Sequence, residues 1–550
     1  MLNIEDRLKE YLVEIAAGWG IGDLDLEVGT PRSREYGDLS TNIALKLSKP
    51  LKKSPKDIAA SILPKLKEDF KDVFDNIEIV EPGFINFYFS TEYLYGFLGD
   101  ILKDERVFLN NIGKGKKVLI EFVSANPTGP LSIAHGRQAA IGAALARILS
   151  SSGYRVDREY YVNDEGNQIN LLGESLRVRC LELLGKESEL PGEGYQGEYL
   201  IDVAEKIVKD EKLSIEEIEN RELNYFSEYA LEWILSGIKG SLSDFGVDFE
   251  GWVSQRDIAA KSSMEDVITK LKSKGHIYEQ NKALWFKSSD FGDSQDRVVI
   301  KHDGSYTYFI ADIAYHLDKY KRDYDLLIDI WGPDHHGYIK RVEAALDALG
   351  YEARRLKVLI VQLATLYRDG KPIKLSTRRN ETITLDEVLS EIGSDATLFF
   401  LLNRKLDSHL DFDLEFAKKK TMDNPVYYIQ YAHARISSII SFAQQNNIDL
   451  REPLSSDITA SLRESEEKDI LRSLVQFSRI IKIAALTMEP SFIAAYLYEL
   501  AQQFHGFYNK HRVVTDSAAL TKARLYVCSA IQIVLKKGLG LLGISAPDSM

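Results

Sequence analysis

The stretch KVLIEFVSANPTGPLSIAHGRQAAIGAALAR, residues 117–147, decides how the rest of the chain is read. Val118 to Val123 is a short apolar run, partly β-branched, with one carboxylate, Glu121. It stops in the turn residues Ser124-Ala125-Asn126-Pro127-Thr128-Gly129-Pro130, and a helix is expected to start near Ser132. On that helix Ala139, Ala140, Gly142, Ala143 and Ala144 allow close packing, while Ile141, Leu145, Ile148 and Leu149 recur at helical spacing. A strand that feeds a helix through a polar loop is half of a nucleotide-binding unit. The unpaired amides and positive dipole end of the helix suit phosphate, and His135 falls in the first turn. On these residues alone, an ordinary strand, turn and helix is equally open.

A chain of 550 residues exceeds a single core and should divide into three or four domains. Its 45% hydrophobic and 28% charged content belongs to the soluble globular class. The opening MLNIEDRLKEYL carries acids and no continuous apolar run, so no signal peptide is expected; no 18 consecutive apolar residues occur. The expectation is a cytoplasmic protein without a membrane partner. Cys180 and Cys528 form no CxxC pair, which disfavours a disulfide framework or a cysteine-ligated zinc. The net charge of −14 is uneven: residues 425–550 carry 13 Lys+Arg against 11 Asp+Glu, so the remainder holds all of the acidity. A polyanion would have to meet local basic patches.

Residues 1–108 read as an α+β unit. Ile4, Leu8, Tyr11, Leu12 and Ile15 make an amphipathic helix, and residues 76–80 and 83–89 are two strands around a Glu81-Pro82-Gly83 turn. Between them, Glu35 to Asn42 is a capped helix start or a ligand contact. Residues 109–395 carry the parallel pattern. Arg155–Val162 is a second strand, followed by a polar loop at Asn163–Gln168. Residues 185–290, acidic and helical, read as an insertion. The parallel pattern returns at Arg297–Ile300, then Asp325–Trp331 ends in Gly332-Pro333-Asp334-His335-His336-Gly337, where a ligand crevice would lie, and Leu356–Leu363 is one more strand. Residues 396–550 are helical. There Tyr427, Tyr428, Tyr431, His433, Arg435, Asn509, His511 and Arg512 are expected to be exposed, with stacking and phosphate contact as candidate roles.

The loop and helix at 124–136 resemble the first signature of class I aminoacyl-tRNA synthetases. Further segments, in order along nearly the whole chain, resemble the arginyl-tRNA synthetase family: Tyr36-Gly37-Asp38, Glu121 to Pro130, Tyr161 to Asn167, Tyr306 to Tyr308 with Asp312 to His316, Gly332 to Gly337, and Asn424 to Arg435. Two places depart from the pattern. Ser132-Ile133-Ala134-His135 stands where His-Ile-Gly-His is expected, and Lys374-Leu375-Ser376-Thr377-Arg378 lacks the second lysine of the second signature.

The resemblance implies a Rossmann-like catalytic domain, an N-terminal α+β domain that touches the corner of tRNA, and an all-α anticodon-binding domain. It implies ligation of L-arginine to tRNA(Arg) through an arginyl-adenylate, with ATP and magnesium, in a monomer. Arginine activation itself is expected to need bound tRNA. The departures motivate an alternative, a catalytically weakened paralogue that binds tRNA or arginine for regulation.

The chemistry narrows the candidates. A carboxylate attacking the α-phosphorus of ATP needs positioning and positive field more than a base. His135, Lys374 and Arg378 are expected to supply that field, with the Lys114–Lys117 run as a possible reserve or a solvated strand entry. ATP would lie on Pro127, Thr128, Gly129, Ser132, His135, Gly136, Gly332, Asp334, His335 and Lys374. A guanidinium demands carboxylates or carbonyls matched to its rigid donors, and Asp312, one helical turn after Tyr308, suits that role. Glu121, charged and in an apolar strand, must meet a cation. The resemblance implies that this cation is the substrate's α-amino group, met beside Ser124 and Asn126; an internal lysine or arginine is the other candidate. Tyr36, Asp38, Tyr428, Tyr431, Arg435, Asn509 and Arg512 are the tRNA candidates. Adjacent His335 and His336 diverge, so no metal site is expected, and His302 and His316 are left without a role.

Overall fold

The computed structural model describes residues 4–22, 24–260, 263–373, 383–448 and 454–550. Lys117–Glu121 is the middle strand of a five-stranded parallel sheet. Arg155–Val162 and Gly251–Ser254 follow on one side, and Leu326–Trp331 and Leu356–Ile360 on the other. The chain therefore changes direction of travel between the 117–121 and 326–331 strands. Their carboxyl ends open a crevice at that switch point.

Alternation along the strands sorts residues to two faces. Val118, Ile120, Phe122, Ile328 and Ile330 pack under the helix Ile133–Ser151. Leu119 and Leu327 face Tyr320, Val342 and Leu346, from the helices Tyr308–Lys321 and Ile339–Leu349. The small residues of the first helix are needed there: a Cβ on Gly142 would stand 2.3 Å from the ring of Phe122. The same helix buries Arg137 completely. Arg137 donates to the carbonyls of Gln362 at 2.7 Å and Lys405 at 3.0 Å, tying the helix to the end of the sheet. Arg137→Met should lower the unfolding free energy by about 2–4 kcal/mol, because buried carbonyls lose their donor. A urea titration that shows no loss contradicts this.

Three expectations need correction. Residues 185–290 are not purely helical. Helices Tyr199–Glu211, Ile215–Asn220 and Leu223–Asp244 are followed by Gly251–Ser254, the fifth strand of the main sheet, and by Ile277–Gln280 and Ala283–Phe286. Arg297–Ile300 pairs antiparallel with Ala283–Phe286, outside the parallel sheet. Strand pairing also continues past residue 395, since Leu410–Asp413 runs parallel to Ala364–Arg368.

In the N-terminal unit, four antiparallel strands in the order 28–29, 39–41, 84–89, 74–80 pack against helices. This unit is tied to the helix Ser465–Thr487 by Glu5–Arg479 (2.9 Å), Arg34–Asp469 (3.0 Å) and Asp38–Arg472 (3.2 Å). Asp38 is buried and also accepts from the Phe89 N–H at 2.8 Å. Its carboxylate is engaged inside the protein, whereas Tyr36 stays exposed. Helices Pro425–Gln445, Ser465–Thr487, Ser491–Lys510 and Ala518–Leu542 form the C-terminal bundle. The last is long and apolar enough to cross a membrane, but most of it is buried among the other helices.

Candidate active site and nucleic-acid surface

A cavity of about 530 Å³ lies at the switch point. Glu121 ends the central strand on its floor. Immediately after it, Val123 and Ser124 adopt positive φ, 68° and 37°, an unfavourable backbone for a β-branched residue that turns the loop sharply. Ser124 then donates to Glu121 Oε1 at 2.8 Å and accepts from the Tyr161 N–H at 3.1 Å. Asn126 accepts from Asn163 Nδ2 at 3.0 Å on the rim. Asp312 enters from the helix 308–321 and accepts from the Tyr338 hydroxyl at 2.5 Å. Burial pushes its carboxyl above the ordinary range, with Tyr338 opposing the rise. Tyr308, one turn earlier, is largely exposed over the cavity mouth, its hydroxyl beside Gly166. Glu121, Ser124, Asn126, Tyr308 and Asp312 thus line the cavity together.

Glu121 meets an internal cation. The Lys319 ammonium bonds Glu121 Oε2 and, at 2.8 Å, Asp329 Oδ1. Sequence reading did not find Lys319 or Asp329.

The start of the 133–151 helix, on the other sheet face from the 308–321 helix, and the turn after Trp331 also line the cavity. Ser132 is the N-cap, and its N–H donates to His135 Nδ1 at 3.2 Å. An accepting Nδ1 leaves Nε2 as the protonated nitrogen, free to donate. Burial drops the His135 pKa to about 4, so the ring is neutral near pH 7. His135 is thus placed to contribute to the field as a neutral donor, because the half-enclosed site disfavours an imidazolium. Gly332, Asp334 and His335 line the facing edge. Gln138, unnoticed in the sequence, spans the two loops, 3.2 Å from the Val123 carbonyl and 3.3 Å from the Gly332 N–H.

Other ATP candidates fall elsewhere. Tyr199 covers the loop at Pro127, Thr128 and Gly129, its hydroxyl donating to the Thr128 carbonyl at 2.5 Å, and these three do not line the cavity. Gly136 serves packing: a Cβ there would meet Leu385 at 2.8 Å. Lys374 and Arg378 lie outside the described residues. The chain just beyond them is held at the helix start, where the Leu385 N–H donates to the Leu131 carbonyl at 2.7 Å and Thr384 bridges Ser132.

On the C-terminal bundle Arg435 lies over two rings, 4.9 Å from the centres of Tyr431 and Tyr508. It separates two hollows. One, about 730 Å³, has Phe442, Arg512 and Met550 on its walls; the other, about 630 Å³, has Tyr427, Tyr428, His505 and Asn509. Asn509 and Arg512 are exposed, and Tyr428 and Tyr431 half-buried. His433, expected at the surface, is buried with Nδ1 2.9 Å from the Pro547 carbonyl, because it shares the inward helix face with Ile429 and Ile436.

Residues 2–89 match the family described as arginyl tRNA synthetase N terminal domain. Residues 98–407 match tRNA synthetases class I (R), catalytic domain, and residues 429–550 the DALR anticodon binding domain. Arginine–tRNA ligase of Desulfosudis oleivorans is 44% identical over 529 residues, spanning 96% of this chain and 95% of that protein. The Listeria monocytogenes arginine–tRNA ligase is likewise 44% identical, over 96% of this chain and 95% of its own. The solved arginyl-tRNA synthetase of Thermus thermophilus shares the fold, with a TM-score of 0.78 at 22% identity over the full length of both chains. With its sheet, its cavity at the switch point and these relatives in agreement, the chain belongs to the arginyl-tRNA synthetase family of class I aminoacyl-tRNA synthetases.

Proposed function

We propose that this chain activates L-arginine with ATP and transfers it to tRNA(Arg), with amino acid and nucleotide on opposite walls of one cavity. The observation that carries the reading is that division. Carboxylates Glu121 and Asp312 stand on one side, and a helix start with a neutral imidazole donor on the other. In this arrangement the α-ammonium lies near Glu121, Ser124 and Asn126. The guanidinium reaches Asp312, and Tyr308 covers it.

The substrate carboxylate is already an anion, so one of its oxygens attacks the α-phosphorus and pyrophosphate departs without a general base. The site's task is to align the two and stabilise charge on the phosphates. His135 Nε2–H and the first amides of the helix do this from one side, Gly332 and His335 border the nucleotide, and Lys374 and Arg378 complete the field. Magnesium supplies charge neutralisation on the triphosphate. Of the three cavity carboxylates among the described residues, Glu121 and Asp312 are engaged and only Asp334 remains.

For tRNA, the two hollows beside Arg435 suit unstacked bases that stack on Tyr428, Tyr431 and Tyr508, with Asn509 and Arg512 at the edges. Tyr36 serves the outer corner. We assign residues 1–108, 109 to about 413, and the helical remainder to the three units, and a cytoplasmic monomer as the working form. Neither the site nor the relatives favour the weakened paralogue.

Pyrophosphate exchange in the presence of arginine, ATP and tRNA tests the reading. Arginine-dependent exchange is expected, with none for lysine or citrulline. Retained tRNA binding without any exchange would sink it.

A further inference from the structure

Glu121 does not stand alone. In the sheet register it is directly opposite Asp329 on one neighbouring strand and Glu159 on the other. All three are buried, with 7%, 1% and 2% of their surface exposed. Three carboxylates in one row, on strands about 4.8 Å apart, repel one another strongly unless cations intervene. The cations come from a single helix. Lys319, fully buried, sits between Glu121 and Asp329, and Arg322 at the helix end takes Glu159, with Nη2–Oε1 2.8 Å. Tyr315 donates to Glu159 Oε1 at 2.8 Å, and its ring lies 4.4 Å from the Lys319 ammonium. His316 spans the Asp312 carbonyl (2.8 Å) and Asp329 Oδ2 (3.0 Å). This helix also carries Asp312, two turns before Lys319, and Tyr308, three turns before it.

We propose that Lys319 is a positioning residue for arginine: by clamping Glu121 to Asp329 it fixes the charge and place of Glu121 and the axial setting of the helix that bears Asp312. The two ends of the amino acid then meet receptors held at one separation by one ammonium. A buried ion network contributes little net stability beside apolar packing of the same volume, so placement is the more consistent use of this one. Burial pushes the Glu121 carboxyl up; Lys319 pulls it back, and Asp329 adds to the rise. Without Lys319, Glu121 faces Asp329 and Glu159 on the flanking strands, Tyr161 two residues beyond Glu159, His316 and Tyr315 on the helix, and Ser124 at the loop. Arg322 still offsets Glu159, so only His316 would be left to offset Asp329, and the Glu121 carboxyl would be pushed further up.

The inference rests on the reading that Glu121 and Asp312 bind arginine. Steady-state exchange kinetics on the full chain with tRNA test it. Lys319→Met should raise the KM for arginine about 10- to 100-fold, with the KM for ATP and the tRNA Kd within about threefold. In that variant the arginine KM should fall as pH rises from 6.5 to 8.5, while the parent stays flat. Lys319→Arg should recover part of the loss. So should Lys319→Met combined with Asp329→Asn, which restores the row's charge balance and carries the comparison if the single variant does not fold. Equal rises in both KM values, or a lower kcat with arginine KM unchanged, would reduce Lys319 to a structural member and overturn the proposal. Glu121→Gln run in parallel separates the two layers. If it leaves the arginine KM unchanged, the underlying reading fails whatever Lys319 shows.

Discussion

Asp312→Ala should abolish arginine activation while leaving tRNA affinity within about twofold. The guanidinium is a rigid fork of donors, and Asp312 is the one cavity carboxylate of the 308–321 helix that can meet it. Removing one partner of a buried charged pair costs about 2–5 kcal/mol, or roughly 30- to 4,000-fold in kcat/KM. The proposed tRNA surface lies on other elements, so a filter-binding Kd should not move with it. Equal loss of exchange and of tRNA affinity contradicts the assignment.

Asp312→Asn adds a test of sign. Burial holds the Asp312 carboxyl above its unfolded value, so the folded chain binds that proton more tightly than the unfolded one. Stability therefore falls as pH rises from the unfolded carboxyl's range toward the raised folded one. Asparagine keeps the shape and can still accept from Tyr338. The melting temperature of unliganded Asp312→Asn at pH 7.5 should equal or exceed the parent's, and any gain should disappear near pH 3.5. A marked drop at pH 7.5 would mean that Asp312 is structural.

How far the sequence carried these assignments depended on distance along the chain. Four of the five sheet strands were legible from their apolar runs. Gly251–Ser254 was not, because four residues after an acidic stretch show no alternation to read. Glu121 announced itself as a charge in an apolar strand that required a cation. The two possible cations could not be separated, since Lys319 is 198 residues away. A signal was present, however. Glu159 and Asp329 stand in strands of the same kind, and Asp312, His316 and Lys319 follow at spacings of four and three, one face of a helix. The internal pairing of Asp38 was hidden for the same reason: its partner Arg472 belongs to a helix of another domain. His433 could have been placed from sequence alone, because Ile429, His433 and Ile436 fall on one helical stripe.

The remaining large effect is at His135, where position and charge part company. A first-turn histidine at a phosphate site invites the picture of a cation, but burial drops its pKa to about 4. His135→Ala should lower kcat by about 10²- to 10³-fold, the loss seen when one donor to a developing anion is removed. The kcat profile of the parent should show no acid limb near pH 6.5 from this residue. Stability gives an independent reading. The unfolded chain takes up the proton near pH 6.5 and the folded chain only near 4, so stability falls as pH drops through that window, by up to about 3 kcal/mol. Alanine removes this acid sensitivity along with the Ser132 N–H to Nδ1 hydrogen bond. The variant should therefore be the less stable protein at pH 7.5, and the gap should close by pH 4.5. An acid limb near pH 6.5 that vanishes in His135→Ala would show instead that the imidazole works charged, and that the helix start holds its phosphate by an ion pair.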